Sequence, residues 1–181
     1  DTGAATTTSS NNIAVGRYSL RSNISGGANV AVGVNSLFSN TTASNNTAVG
    51  HNALTSNTTA AYNVAIGREA LADNTTGTDN TATGAYALAD STTAGGNTAL
   101  GRAAMQLTTT GSNNTAVGRN ALQDNTTGTR NTVSGAYALS SNTTASDNTA
   151  FGYQSLYLNT TGYQNTAVGK SAGGSITTGI Q

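Results

Sequence analysis

A strict 17-residue period runs through this chain and constrains its fold more than any other feature. Ten glycines fall on it: Gly16, Gly33, Gly50, Gly67, Gly84, Gly101, Gly118, Gly135, Gly152 and Gly169. Ten asparagines keep the same step: Asn12, Asn29, Asn46, Asn63, Asn80, Asn97, Asn114, Asn131, Asn148 and Asn165. No insertion or deletion breaks the register. A fixed period without slips means one structural unit stacked along an axis, each unit burying a face against the next. A length of 181 residues would suit one or two globular domains. The repeat predicts instead a single elongated domain over 1–181, with 1–11 a partial unit and 12–181 ten full ones.

The unit reads N-T-A-V-G-x-x-A-L-x-x-N-T-T-G-x-x, and its columns are informative. Numbering each unit from its first asparagine, position 3 is Ala in nine of ten units and Val133 in the other. Position 9 holds Leu20, Leu37, Leu54, Leu71, Leu88, Met105, Leu122, Leu139 and Leu156, and Gly173 breaks the file in the last unit. Position 8, just before it, is always Ala or Ser. Seventeen residues are too few for a helical hairpin repeat of about 33. Frequent Thr, Val, Asn and Gly also disfavour helix. The expected fold is all-β: a parallel β-solenoid, or β-roll, of about ten and a half 17-residue coils. Each coil is expected to carry two short strands, N-T-A-V ended by Gly and a second around A-L, with N-T-T-G turning the chain back. At the spacing of hydrogen-bonded strands such a rod is about 50 Å long.

Alternation along the first strand assigns its faces. Asn and Ala are expected to point inward, where stacked amides form a ladder and small Ala suits a narrow interior; the alternative is the inverted strand, with Val in the core and Ala outward. The Leu file fills the remaining space. The opposite face carries Val15, Val32, Val49, Ile66, Leu100, Val117, Phe151 and Val168, with Thr83 and Ser134 between them. An apolar stripe of that length is a candidate interface. Residues 1–11 align with the second half of a unit, and neither end shows an obvious cap, so end-to-end stacking of solenoids is a second expected route of association.

Composition narrows the function classes. Charged residues make up 8% of the chain and the formal net charge is zero, which disfavours electrostatic binding to nucleic acid or to an anionic membrane. There is no cysteine, so disulfides, thiolate zinc sites and thiol nucleophiles are excluded. No apolar run is long enough to span a bilayer. The chain starts at Asp1, which fits a product whose export signal has been removed. Seven Asp and Glu scattered along the chain cannot supply regular calcium cages, and no nucleophile–base pair or phosphate-binding loop is visible. The expectation is a non-enzyme with no cofactor and no metal.

The core N-T-A-V-G, at Asn46–Gly50, Asn114–Gly118 and Asn165–Gly169, with N-V-A-I-G at Asn63–Gly67, resembles the head repeat of trimeric autotransporter adhesins. The longer string is also similar to repeats of phage tail-fibre and related bacterial surface proteins. The resemblance covers nearly the whole chain, although its coil is longer than in those heads. It implies a parallel, left-handed, trimeric β-roll, and a surface role that includes collagen or matrix binding.

Individual side chains add little chemistry. His51, the only histidine, follows Gly50 in a column with Arg17, Arg68, Arg102, Arg119 and Lys170, and reads as a solvated member of that basic stripe. Asp73, Asp90 and Asp124 share another column, so the two stripes are able to pair between chains. Six N-T-T triplets begin at Asn40, Asn57, Asn74, Asn125, Asn142 and Asn159 and fit the N-glycosylation pattern, as does Asn23; turn chemistry is the simpler reading. Paired threonines at that turn also suggest O-glycosylation or an ice-binding lattice, although they are adjacent at a turn rather than alternating on a flat strand. Tyr18, Tyr86 and Tyr137 share a column, and Tyr153, Tyr157 and Tyr163 gather near the C-terminal end, suited to stacking on sugars or sealing a subunit junction. These readings converge on an extracellular, cell-surface or virion-surface fibre or filament subunit that assembles with its own copies. The alternative is an adhesin head or tail-fibre shaft that binds host glycans or matrix; an ice-binding surface is a lesser one.

Overall fold

The computed structural model describes residues 10–179. The alignment of residues 1–9 with a partial unit, and the last two residues, lie outside the described residues. Ten three-residue strands follow in chain order: β1 (Ile13–Val15), β2 (Val30–Val32), β3 (Thr47–Val49), β4 (Val64–Ile66), β5 (Thr81–Thr83), β6 (Thr98–Leu100), β7 (Thr115–Val117), β8 (Thr132–Ser134), β9 (Thr149–Phe151) and β10 (Thr166–Val168). They form one parallel sheet in sequential order, and no helix occurs among the described residues. Every pairing joins residues 17 apart, as in Ala31 with Ala48 or Ala99 with Ala116. The chain is a β-solenoid.

β-branched residues at positions 2 and 4 favour this strand because their stiff side chains suit a pleated sheet. Ala at position 3 points inward and is fully buried in most coils. The strand ends at the position-5 glycine, whose φ lies between 122° and 144°. A Cβ on Gly118 would meet the carbonyl carbon and oxygen of Gly135 at 2.7 Å. Two constraints therefore exclude a side chain here: a backbone conformation open only to glycine and the backbone of the next coil.

The second strand expected around A-L does not form. Two consecutive turns replace it. In the fifth coil Ala87 N–H donates to the Gly84 carbonyl at 3.2 Å, and Ser91 N–H to the Leu88 carbonyl at 3.2 Å. Tyr86 and Leu88 adopt φ of 62° and 50°. The positive φ at Tyr86 is what a type II turn requires at its third residue. The intervening amides reach neighbouring coils, Tyr86 N–H to Arg68 O at 2.9 Å and Leu88 N–H to Ala104 O at 3.1 Å. Inter-coil bonding thus continues without strand geometry. Left-handed backbone costs a leucine about 1–2 kcal/mol, yet the conformation recurs along the whole leucine file. It turns the corner and drives a fully buried side chain into the middle of the coil, and burial of a leucine contributes about 1.5–3 kcal/mol.

The core is a single column. Leu20, Leu37, Leu54, Leu71, Leu88, Met105, Leu122, Leu139 and Leu156 are all buried and stack with the Ala of positions 3 and 8. In the last coil Gly173 vacates the leucine site, and Ile176 packs against the core from position 12 in its place.

Candidate functional site

The outward face of the sheet holds two files of side chains. Position 4 carries the expected apolar stripe. Val15, Ile66, Leu100, Val117, Phe151 and Val168 are exposed, Val168 by 71%, while Val32 and Val49 are half-buried. The inward placement of Ala and outward placement of Val match the alternation read from the sequence. Position 2 forms a companion file that the sequence reading did not single out: Thr47, Thr81, Thr98, Thr115, Thr132, Thr149 and Thr166, with Ile13, Val30 and Val64. None of these threonine hydroxyls bonds within the described residues, so hydroxyl and methyl groups both face outward. The same two-residue alternation that marked the Val file would have found this one. Neither file contains a charged residue. The face repeats in constant register and is uncovered among the described residues.

Rigidity behind this face comes from two internal amide ladders. The first is the expected one at position 1. Asn114 Oδ1 accepts from Asn131 N–H at 2.9 Å and from Asn131 Nδ2 at 3.1 Å, while Asn114 Nδ2 donates to the Gly128 carbonyl at 2.9 Å. The second, at position 12, is Asn23, Asn40, Asn57 and Asn74, then Asn125, Asn142 and Asn159. Asn57 Nδ2 donates to Asn40 Oδ1 at 3.1 Å and to the Ala60 carbonyl at 3.0 Å. That carbonyl also receives Asn46 Nδ2 at 2.9 Å. Both ladders therefore converge on the position-15 carbonyl of their coil and satisfy its two lone pairs, as a dry interior demands.

This corrects the glycosylation reading. Asn40, Asn57, Asn74, Asn125, Asn142 and Asn159 have no exposed surface, and Asn23 has 1%. Their Nδ2 atoms donate into the core, so the folded chain closes them to a glycosyl donor. The threonine that follows is half-consumed as well: Thr75 Oγ1 donates to the Thr92 carbonyl at 2.9 Å, and its equivalents repeat the bond. Only the second threonine of each triplet is exposed.

The corner after the sheet gathers basic and aromatic side chains. Arg68 lies 5.3 Å from the ring centre of Tyr86, and Arg119 lies 5.2 Å from that of Tyr137, each pair spanning adjacent coils. Arg17 and Arg21 both cover Tyr18, whose phenol is held below its usual pKa by Arg17. Tyr137 and Tyr153 meet edge to face at 6.2 Å. Tyr163 stands exposed, apart from this contact. His51 is exposed on the same corner, as expected of a solvated residue. Asp90 and Asp124 are pushed up by burial, Asp90 also by the negative charge of Asp73. Among the described residues the basic and Asp columns do not pair. The inter-coil ion pair found there is Arg130 with Asp147, two bonds at 2.7 and 2.9 Å that raise the arginine and lower the aspartate. Among the described residues no group of three or more His, Asp or Glu is placed to hold a metal, and no helix is long and apolar enough to cross a membrane.

Comparison with family models, curated proteins and solved structures yields no match, so the geometry alone carries the functional reading.

Proposed function

We propose that this chain is a structural subunit of an extracellular fibre or filament, associating with its own copies through the outward sheet face. The observation that carries this reading is the uncharged Thr/Val face with Val15, Ile66, Leu100, Val117, Phe151 and Val168 exposed along one file. A second copy is the occupant that matches its length and period coil for coil. Ten strands spaced about 4.8 Å and three residues wide present about 450 Å². That is roughly half of the ~800 Å² each partner contributes to a standard interface. One pair of faces is therefore too small by itself, and the reading favours several chains gathering their faces about a common axis, in line with the trimeric state the adhesin-like repeat implies. Docking of solenoid ends would lengthen such an assembly.

The test places lysines on two neighbouring strands, Leu100→Lys with Val117→Lys. The wild-type chain is expected to run as an oligomer in light scattering and as rods in negative stain. The variant is expected to run as a monomer with an unchanged circular dichroism spectrum. A wild-type chain that stays monomeric at every concentration overturns the proposal.

A second reading, an adhesin head or tail-fibre shaft binding host glycans or matrix, is favoured by the exposed Tyr62, Tyr153 and Tyr163. Retention of the oligomer on immobilised glycans, lost on Tyr153→Ala, would support it. The ice-binding reading moves from the turn threonines to the free hydroxyls of position 2; ice-crystal shaping by a monomer would favour it over assembly.

A further inference from the structure

We infer that the interior holds one structural water beside Ser91, where the second asparagine ladder is interrupted. Position 12 is Asn in the first four coils, Ser91 in the fifth and Thr108 in the sixth, and Asn again from Asn125. Asn74, Ser91 and Thr108 are all completely buried. Asn74 Oδ1, Ser91 Oγ and Thr108 Oγ1 have no hydrogen-bond partner, in three successive coils of one column. Buried polar atoms without partners are rare, and the first two, one coil apart, point to a ligand able to serve both.

The intact coils show what is missing. An asparagine here donates one Nδ2 hydrogen to the Oδ1 of the preceding coil and the other to its own position-15 carbonyl; Asn74 does so to Asn57 Oδ1 and the Gly77 carbonyl, both at 3.0 Å. Its Oδ1 then accepts from the following coil, as Asn40 Oδ1 does from Asn57. At Ser91 the two acceptors remain, Asn74 Oδ1 and the Ala94 carbonyl. The latter receives only Asn80 Nδ2, at 2.8 Å. Both acceptors lie against the point where a Cβ on Gly77 would sit, at 2.6 and 2.0 Å, close enough for one molecule to bridge them.

A water in the place of the absent carboxamide reproduces its bonding. It donates to Asn74 Oδ1 and to the Ala94 carbonyl, and accepts from the hydroxyl of Ser91. Three partners are what buried waters typically make, and the volume freed by exchanging a carboxamide for a hydroxyl is about that of one water, ~30 Å³. An apolar occupant would leave all three groups unsatisfied, and a cation would need more oxygen ligands than converge here.

Two measurements test the site. In a high-resolution crystal structure of the wild-type chain, a density peak is expected within hydrogen-bond distance of Asn74 Oδ1, Ser91 Oγ and the Ala94 carbonyl. A well-ordered Ser91 with no such peak overturns the inference. Water-oxygen magnetic relaxation dispersion should count one long-lived water fewer in Ser91→Asn than in the wild type. The same variant should raise Tm by about 2–4 °C as the ladder closes. An unchanged count or a lowered Tm overturns the inference, and if Ser91→Asn fails to fold the wild-type density decides.

Discussion

Replacing Gly118 by alanine should be among the most damaging single-methyl changes in this chain. The backbone at Gly118 has φ of 133°, and the added Cβ would lie 2.7 Å from the carbonyl carbon and oxygen of Gly135 and 3.0 Å from Ala136 N. None of those atoms belongs to a side chain that can rotate away. Gly118 and Gly135 are held in the ladder by N–H bonds of 2.8 Å to Leu100 and Val117 carbonyls, so relief requires parting two coils. The disfavoured φ costs about 1–3 kcal/mol. Overpacking against the next coil adds about 1–3 kcal/mol, which makes the expected loss about 2–6 kcal/mol. Gly95→Ala is the matched control. Its Cβ would meet the Thr78 carbonyl oxygen at 3.0 Å and the Thr78 amide nitrogen at 3.7 Å, its φ is not left-handed, and Ala61 already occupies the equivalent place two coils earlier. That variant should fall within about 0.5 kcal/mol of wild type. Guanidinium unfolding followed by far-UV circular dichroism reads both. Hydrogen exchange across β7 and β8 shows whether the loss is local, since repeat arrays need not unfold in one step. Equal midpoints for Gly118→Ala and Gly95→Ala would refute the claim that coil-to-coil glycine contact sets the stacking distance.

Asn114→Ala should cost about 1–3 kcal/mol, because it orphans the Asn131 backbone amide and leaves the Gly128 carbonyl with Asn125 Nδ2 alone; thermal unfolding measures it, and a change below 1 kcal/mol would show that the ladder is incidental. Asp90→Asn should stabilise the chain at neutral pH. The folded pKa of Asp90 is raised by burial and by Asp73, so the folded state binds its proton more tightly than the unfolded state, and stability falls as pH rises through the carboxylate range. Melting at acidic and neutral pH should show the variant's advantage only on the neutral side.

Much of the fold is legible in the period itself. A constant step of 17 residues forces equivalent residues into columns, and the column contents then reveal the faces: uniform Ala beside Asn cannot be solvent-facing, while a file that accepts Val, Phe, Thr and Ser cannot be a tight core. The parallel sheet, its register, the leucine core, the first asparagine ladder and the outward apolar file all follow from that reasoning. Only the tertiary structure decides the rest. A-L has the composition of a strand, but its leucine is left-handed because the corner must turn within one coil, and the leucine amide is satisfied by the neighbouring coil rather than by a local partner. The asparagine of N-T-T looks like a surface turn residue along the chain. Stacking places it inside, where its amide meets that of the first ladder on one carbonyl. That carbonyl belongs to the same coil, but the bond that makes a ladder, Asn57 Nδ2 to Asn40 Oδ1, exists only when coils are piled on one another.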